Sequence, residues 1–511
     1  MRIAEPGVEY DELLFVNAAL GNMDGSFVEY SVRILGHVVP LMCMSYIGAV
    51  KSMLYAPIFG VFGTNVVTIR LPVILIGAIV IVLTYVTTNA LFNRKIALIT
   101  TALTAIDPTV IFQIKADWGP AAIMMLCKLG SLGCLLLFVR TRRLLLLASG
   151  ALALGIGLYD KADFVWYIIA LIGAALMVYR STMRISLRES AVASGFFLLG
   201  CGPLLLYNLT RLGATVHGQF SSSMSLLATL EYKRGLFEQT LNGVAAFNYF
   251  NNFGALPSVL PFHLMDLDHT FGYGFTLAAL LASAVLVALR ARYWRQAAFV
   301  LLIVAILIAE ITVTPQATGP HHVIFIYPFQ TMLVSYVAII GAAELVARFP
   351  QIRNLWAGAA VLAILMLALS NLLIDTKYLK SFNRAGGVGI WSDAIYGLNT
   401  FMEKQPSARF ALMDWGFNEQ LLALSANSIK RTELFPALSA SDSSGTMNTL
   451  RRSMSLYDLF VFHSPDFAVF PRVRQSFDSA IRALGFREKV TKMYERDGKP
   501  VYEIVRLERV R

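Results

Sequence analysis

The chain is dominated by near-continuous apolar runs separated by short polar ones. Each run is close to the roughly 17 to 25 residues that a helix needs to cross a hydrocarbon core. Ten of them predict ten transmembrane helices, over 70–92, 96–113, 120–139, 143–159, 163–179, 190–208, 273–290, 297–314, 322–345 and 355–374. After Asp375 the pattern changes to mixed, charged sequence with short periodic elements. Phe410–Met413 and Leu459–Phe462 predict buried strands, and Asn418–Ala426 and Val473–Leu484 have helical spacing. Val490–Tyr494 and Val501–Leu507 flank an Asp497-Gly498 turn and predict a hairpin. The expected fold is therefore an all-α polytopic membrane domain followed by a small α/β domain. Its parts are a first loop at 1–69, a membrane domain at 70–374 with a long loop at 209–271, and a tail at 375–511.

Composition agrees: 57% of residues are hydrophobic and only 15% charged, too apolar for a string of soluble domains. A net charge of +11 would suit nucleic acid, but the basic residues are gathered in alternate loops. Arg94 and Lys95, then Arg140, Arg142 and Arg143, then Arg180, Arg184 and Arg188, then Arg290, Arg292 and Arg295, then Arg348 and Arg353 mark the cytoplasmic side. The opposite turns hold Lys115 and Lys161 together with Asp117, Asp160 and Asp163. An even number of spans then places 1–69, 209–271 and 375–511 outside the cytoplasm. Residues 1–69 contain no cleavable signal pattern and no evident first span, so an upstream helix is expected. Val38–Val50, broken by Pro40 and Lys51, reads as a helix lying near the interface. Cys127, Cys134 and Cys201 fall in spans and Cys43 stands alone, which gives no disulfide framework.

The outer segments also concentrate the ionisable residues. Glu9, Asp11 and Glu12 precede a helical stretch, where the helix dipole alone would favour acids. Lys51 reads equally as a snorkelling interfacial lysine, and Asp117 as a cap for the helix opening at Pro120. His321 and His322 read as interface histidines or as part of a metal site, although neighbours on a helix point in different directions. Within spans, Asp107 and Glu310 are costly charges toward the outer ends of their helices. His263, Asp266, Asp268 and His269 have donor types for a cation, or form a plain polar loop. In the tail, Asp414, Trp415 and His463 lie at predicted strand ends, where α/β sheets bind ligands.

The order of these residues resembles the GT-C superfamily of membrane glycosyltransferases, particularly the branch of protein O-mannosyltransferases and lipid A aminoarabinose transferases (glycosyltransferase family 39). That family has an Asp-Glu pair in its first outer loop, then a jaw helix, a Gly- and Lys-bearing stretch, a Phe-Gly step and an Arg opening the next span. Asp11-Glu12, Gly48 with Lys51, Phe62-Gly63 and Arg70 fill those places here. The likeness continues through Lys115-Ala116-Asp117-Trp118-Gly119-Pro120 and returns at Thr318-Gly319-Pro320-His321-His322 with Tyr327-Pro328. It thus covers outer span ends across most of residues 5–345. Relatives with an acidic metal ligand just before the lysine have Val50 here, so no metal is carried over and a divalent cation stays open.

What the resemblance implies is transfer of a sugar from a polyprenyl-phosphate donor to a glycan, lipid or protein acceptor outside the cytoplasm, at the bacterial inner membrane. Such a donor brings its own leaving group, so the enzyme must supply a base for the acceptor hydroxyl and cations for the departing phosphate. The resemblance makes Asp11 the base of an inverting displacement, with Glu12 and Asp117 completing the catalytic acids. Lys51, Lys115, His321 and His322 would bind the donor phosphate or sugar, and Arg70 would be structural. A transporter or flippase for lipid-linked glycans is the alternative, predicting repeat symmetry and broken midplane helices that the sequence pattern does not display; an inactive glycan-binding relative is another.

Overall fold

A computed structural model of the chain describes residues 3–22, 27–181, 185–215, 226–251, 267–440 and 443–509. It opens with helix α1 (Tyr10–Ala19), a three-stranded antiparallel sheet of β1 (Tyr30–Ile34), β2 (His37–Met44) and β3 (Ile47–Gly48), and helix α2 (Val50–Phe62). The interfacial helix expected at Val38–Val50 is therefore corrected to strands. Leu35 and Gly36 both take positive φ, 51° and 85°, which closes a tight hairpin pairing Ile34 with His37. The β-branched pair Val38-Val39 suits the pleat. The missed signal is a Leu-Gly turn in place of the usual Asn-Gly.

The helical bundle follows: α3 (Val66–Leu91), α4 (Arg94–Ala105), α5 (Pro108–Ala116), α6 (Ala121–Thr141), α7 (Leu144–Asp160), α8 (Phe164–Tyr179), α9 (Leu187–Thr210), α10 (Leu226–Leu241), α11 (Ala245–Phe250), α12 (Gly272–Ala288), α13 (Trp294–Val313), α14 (Phe329–Arg348) and α15 (Arg353–Ala385). Side-chain caps fix several starts: Asn65 accepts the amides of Val67 and Thr68, and Asn93 those of Lys95 and Ile96. Each of the ten predicted runs is largely helical, two of them with a break. Among the described residues, six helices, α3, α6, α9, α13, α14 and α15, are long and apolar enough to span a membrane, and the bent pair α4–α5 makes a seventh. The runs at α7, α8 and α12 fold as shorter apolar helices.

Two breaks interrupt the bundle, against the unbroken helices read from the sequence. The first bends α4 against α5 by 58° at Asp107. The second lies ahead of α14, where a short turn of helix, Pro320–Val323, passes through the 3-10 turn Ile324–Ile326 to Tyr327-Pro328. Proline disfavours helical backbone at the residue before it, which explains both positions. Lys128, fully buried in the middle of α6, donates to the carbonyls of Ile324 (3.2 Å), Phe325 (2.9 Å) and Tyr327 (2.5 Å). The break leaves these carbonyls short of α-helical partners, although Ile324 still accepts the Tyr327 amide (3.1 Å), and the lysine supplies donors in their place.

Helix α15 runs ten residues past Asp375 before the C-terminal region begins with α16 (Ala394–Glu403). There β4 (Phe410–Leu412), α17 (Asn418–Leu424), β5 (Arg431–Glu433), α18 (Phe435–Ala440), α19 (Ser443–Leu456), β6 (Leu459–His463), α20 (Pro471–Ala483), β7 (Phe486–Tyr494) and β8 (Pro500–Arg509) build one sheet of order β5-β4-β6-β8-β7. Strands β5, β4 and β6 are parallel, and the β7–β8 hairpin is antiparallel. Phe410, Leu412, Val461 and Ile504 share a core with Leu13, Phe15 and Tyr55, so one face of the sheet is packed against the first segment of the chain.

Candidate active site

The first turn of α1 is wound by its own acids. Glu9 accepts the Glu12 amide (3.1 Å) and Glu12 accepts the Glu9 amide (3.3 Å), a reciprocal cap. Glu12 is at the same time gripped by Arg70 of α3, with Nε to Oε1 at 2.8 Å and Nη2 to Oε2 at 2.9 Å. The guanidinium also donates to the carbonyls of Ile3, Pro6 and Gly7, at 2.9, 2.8 and 3.2 Å. Glu9, Glu12 and Arg70 are all buried. Arg70 is thus the structural residue expected, and Glu12, expected among the catalytic acids, has both oxygens engaged in holding the segment.

Asp11 stands apart. It is half-buried and faces Lys161, Lys51 and the Trp118 side chain. Burial raises its carboxyl above the ordinary range, and the two ammonium groups and the Trp118 hydrogen bond oppose that rise without cancelling it.

Beneath it lies a buried ion pair. Lys51, in the first turn of α2, reaches Asp117 at 2.5 Å, with neither side chain exposed. A snorkelling lysine is excluded by that burial. Asp117 ends α5 in the left-handed region (φ 46°) and its Oδ1 accepts the Ala122 amide at 2.8 Å, so it pairs with Lys51 and caps α6 together. The Lys51 ammonium also sits 4.5 Å from the Phe15 ring centre. Asp160, fully buried at the end of α7, has neither oxygen hydrogen-bonded among the described residues.

The turn after α7 completes the group. Lys161 pairs with Asp163 (3.8 Å), and His322 Nε2 meets the same Asp163 at 3.2 Å while its Nδ1 accepts the Gly319 amide (3.3 Å). An accepting Nδ1 assigns the proton to Nε2, which donates to Asp163. Burial and the Lys161 charge hold both His321 and His322 well below the usual imidazole range, hence neutral. The His321 ring lies 4.1 Å from that of His322 and 5.6 Å from Trp118. It fills the space where side chains of Gly119 and Gly319 would be, an added Cβ lying 2.7 and 2.4 Å from its atoms. Strand β3 fixes the floor: Ile47 bridges Lys161, the Ala162 amide reaches the Tyr46 carbonyl (2.9 Å), and a Cβ on Gly48 would lie 2.2 Å from the Tyr159 carbonyl oxygen.

Asp11, Lys51, Asp117, His321 and His322 therefore converge. Lys115 does not join them in the expected role, since its ammonium is turned to the Glu5 carbonyl. Lys161, Asp163 and Trp118 belong to the group but were not singled out for chemistry from sequence; the signal was Asp160-Lys161-Ala162-Asp163, three charges in one short turn of an apolar chain. No group of three or more His, Cys, Asp or Glu side chains is placed to hold a metal among the described residues. Of the suggested loop donors, Asp268 pairs with Lys377 and His269 bonds the Thr270 carbonyl, while His263 and Asp266 lie outside the described residues. In the tail, Asp414 accepts the His463 ring (3.1 Å) and the amides of Trp415, Val469 and Phe470, tying strand ends to a loop.

Residues 50–207 match the family model of dolichyl-phosphate-mannose-protein mannosyltransferase. No curated protein sequence matches the chain. Among solved structures it is similar to ArnT from Cupriavidus metallidurans bound to undecaprenyl phosphate, at 11% identity and TM-score 0.58, over 98% of this chain and 94% of that one. It is also similar to the oligosaccharyltransferase AglB from Archaeoglobus fulgidus with an inhibitory peptide and a dolichol-phosphate, at 12% identity and TM-score 0.52, over 98% and 70%. Against the apo form of the Archaeoglobus enzyme it spans 66% of that chain's length, at TM-score 0.53. The multi-pass architecture, the order of the motifs and these likenesses agree: the chain has the GT-C fold.

Proposed function

We propose that the chain is an integral-membrane glycosyltransferase that moves a sugar from a polyprenyl-phosphate donor to an acceptor hydroxyl outside the cytoplasm, by inverting displacement. The observation that carries this reading is Asp11, a half-buried carboxylate facing two ammonium groups at a meeting point of α1, α2 and the α7–α8 turn. A carboxyl raised above its ordinary range is a better base than a free one. Asp11 takes the acceptor proton as the hydroxyl attacks the anomeric carbon. The bond to the phosphate oxygen breaks on the opposite face, and its electrons leave with the polyprenyl phosphate.

Lys161 is the cation assigned to the departing phosphate, its ion pair among the described residues being the long 3.8 Å contact to Asp163. Lys51, fully committed to Asp117, contributes positive charge from beneath. The neutral His321 and His322 offer hydrogen bonds without adding charge. Ten crossings, with residues 1–69 and the C-terminal region on the outer side, complete the reading. The two helix breaks would also suit a transporter. The mannosyltransferase match over 50–207, which includes Lys51, Asp117, Lys161 and Asp163, favours the transferase.

The test is native mass spectrometry of the purified chain and its Lys161→Ala variant. A co-purifying polyprenyl-phosphate sugar that is depleted in the variant supports the reading. A lipid-free wild type, or equal occupancy in both, removes its basis.

A further inference from the structure

The break between α4 and α5 shelters a second polar locus, remote in sequence from Asp11. Asp107 caps α5, its Oδ1 accepting the amides of Thr109 (2.9 Å) and Val110 (3.4 Å). It borders a cavity of about 20 Å³ whose polar walls are Asp107, Thr276, Tyr327, Gln330, Thr331 and Asn371. That is room for one occupant the size of a water molecule. Gln330 is 3% exposed, and its Oε1 has no hydrogen-bond partner among the described residues. No described cationic side chain pairs with Asp107; its charged neighbour is another acid, Asp375, whose own Oδ1 is buried without a hydrogen bond.

A carboxylate at the depth of a spanning segment is stable only beside a counter-charge or after taking up a proton. The polar wall residues all carry oxygen, as carboxylate, amide or hydroxyl, beside the apolar Leu103, Leu241, Val334 and Leu367, with no sulfur or imidazole, which is a donor set for a hard cation. One lining carboxylate balances one positive charge. A magnesium ion keeps several waters, for which a one-water cavity has no room. A lone water would satisfy Gln330 but leave Asp107 to be neutralised by a proton, whereas a bound cation satisfies both groups at once.

We infer that this cavity binds a single monovalent cation of sodium size, held between Asp107 and Gln330. Thr276 lies on α12, Thr331 and Gln330 on α14 and Asn371 on α15, so the ion ties three helices to the break before α5. The inference does not depend on the transferase reading, because its readout is stability.

The test is thermal unfolding of the full chain in nanodiscs, with sodium chloride replaced stepwise by choline chloride at constant ionic strength. The melting temperature is expected to rise with sodium in the wild type. That rise is expected to vanish in Asp107→Asn, in which Asn caps the helix as Asp does. Gln330→Leu repeats the measurement from the opposite wall in case the first variant folds poorly. A wild type indifferent to sodium overturns the site, as does an Asp107→Asn protein that keeps the full sodium shift. An equal shift with potassium overturns the size assignment.

Discussion

Asp11 and Glu12 are neighbours on one helical turn with opposite surroundings. Glu12 is turned inward, where Arg70 and the Glu9 amide occupy its oxygens. Asp11 is turned toward Lys161, Lys51 and Trp118, with part of its surface open. Successive helical residues point about 100° apart, so one acid is spent on holding the turn that aims the other. Identical chemistry becomes structural or reactive according to how many of its hydrogen-bonding sites are already filled.

That contrast can be broken in four ways. Asp11→Asn is expected to lower sugar transfer by about 10²- to 10⁴-fold, the usual contribution of a general base, with an unchanged melting temperature; a radiolabelled or mass-detected transfer assay checks it. Arg70→Met, which leaves Glu12 buried and unpaired, is expected to cost roughly 3–5 kcal/mol of stability, read by chemical or thermal unfolding. Comparable losses from both substitutions in both assays would erase the distinction. Gly119→Ala is expected to cost about 1–3 kcal/mol, because φ is +66° and the added methyl would meet the His321 ring. The smallest effect is on pH dependence. Asp11 acts only when deprotonated and its carboxyl is raised, so kcat/KM falls tenfold per pH unit below a midpoint above the ordinary aspartate value. A midpoint at or below that value would mean that another group limits the rate.

The apolar runs made the bundle legible, because lipid-crossing helices need long stretches of one character. The tail strands were legible too, with Phe410–Leu412 and Leu459–His463 paired where short buried runs had predicted them. Asp11, Lys51, Asp117 and the histidine pair could be nominated from their order along the chain. Their division of labour could not, since it depends on contacts such as Arg70 to Glu12, 58 residues apart. Lys128 was invisible for a related reason. Its role appears only once Tyr327-Pro328, 199 residues away, has broken a helix and left carbonyls in need of donors. The β1–β2 hairpin was missed through an uncommon turn pair, and Lys161 because its charge had already been explained by topology.

The segment carrying Asp11 is fastened from the far end of the chain. The Gly7 amide bonds the Trp391 carbonyl (2.9 Å), the Tyr396 hydroxyl bonds the Ala4 carbonyl (3.1 Å), and Arg496 meets Glu5 at 2.6 Å. A ribosome adding roughly 5–20 residues per second makes Asp11 some 20 to 75 s before Trp391. For that interval the nascent protein holds the Asp11 segment by contacts such as those to Arg70, without those to Trp391, Tyr396 and Arg496. Chains abandoned midway through translation would therefore hold the Asp11 segment without its C-terminal contacts.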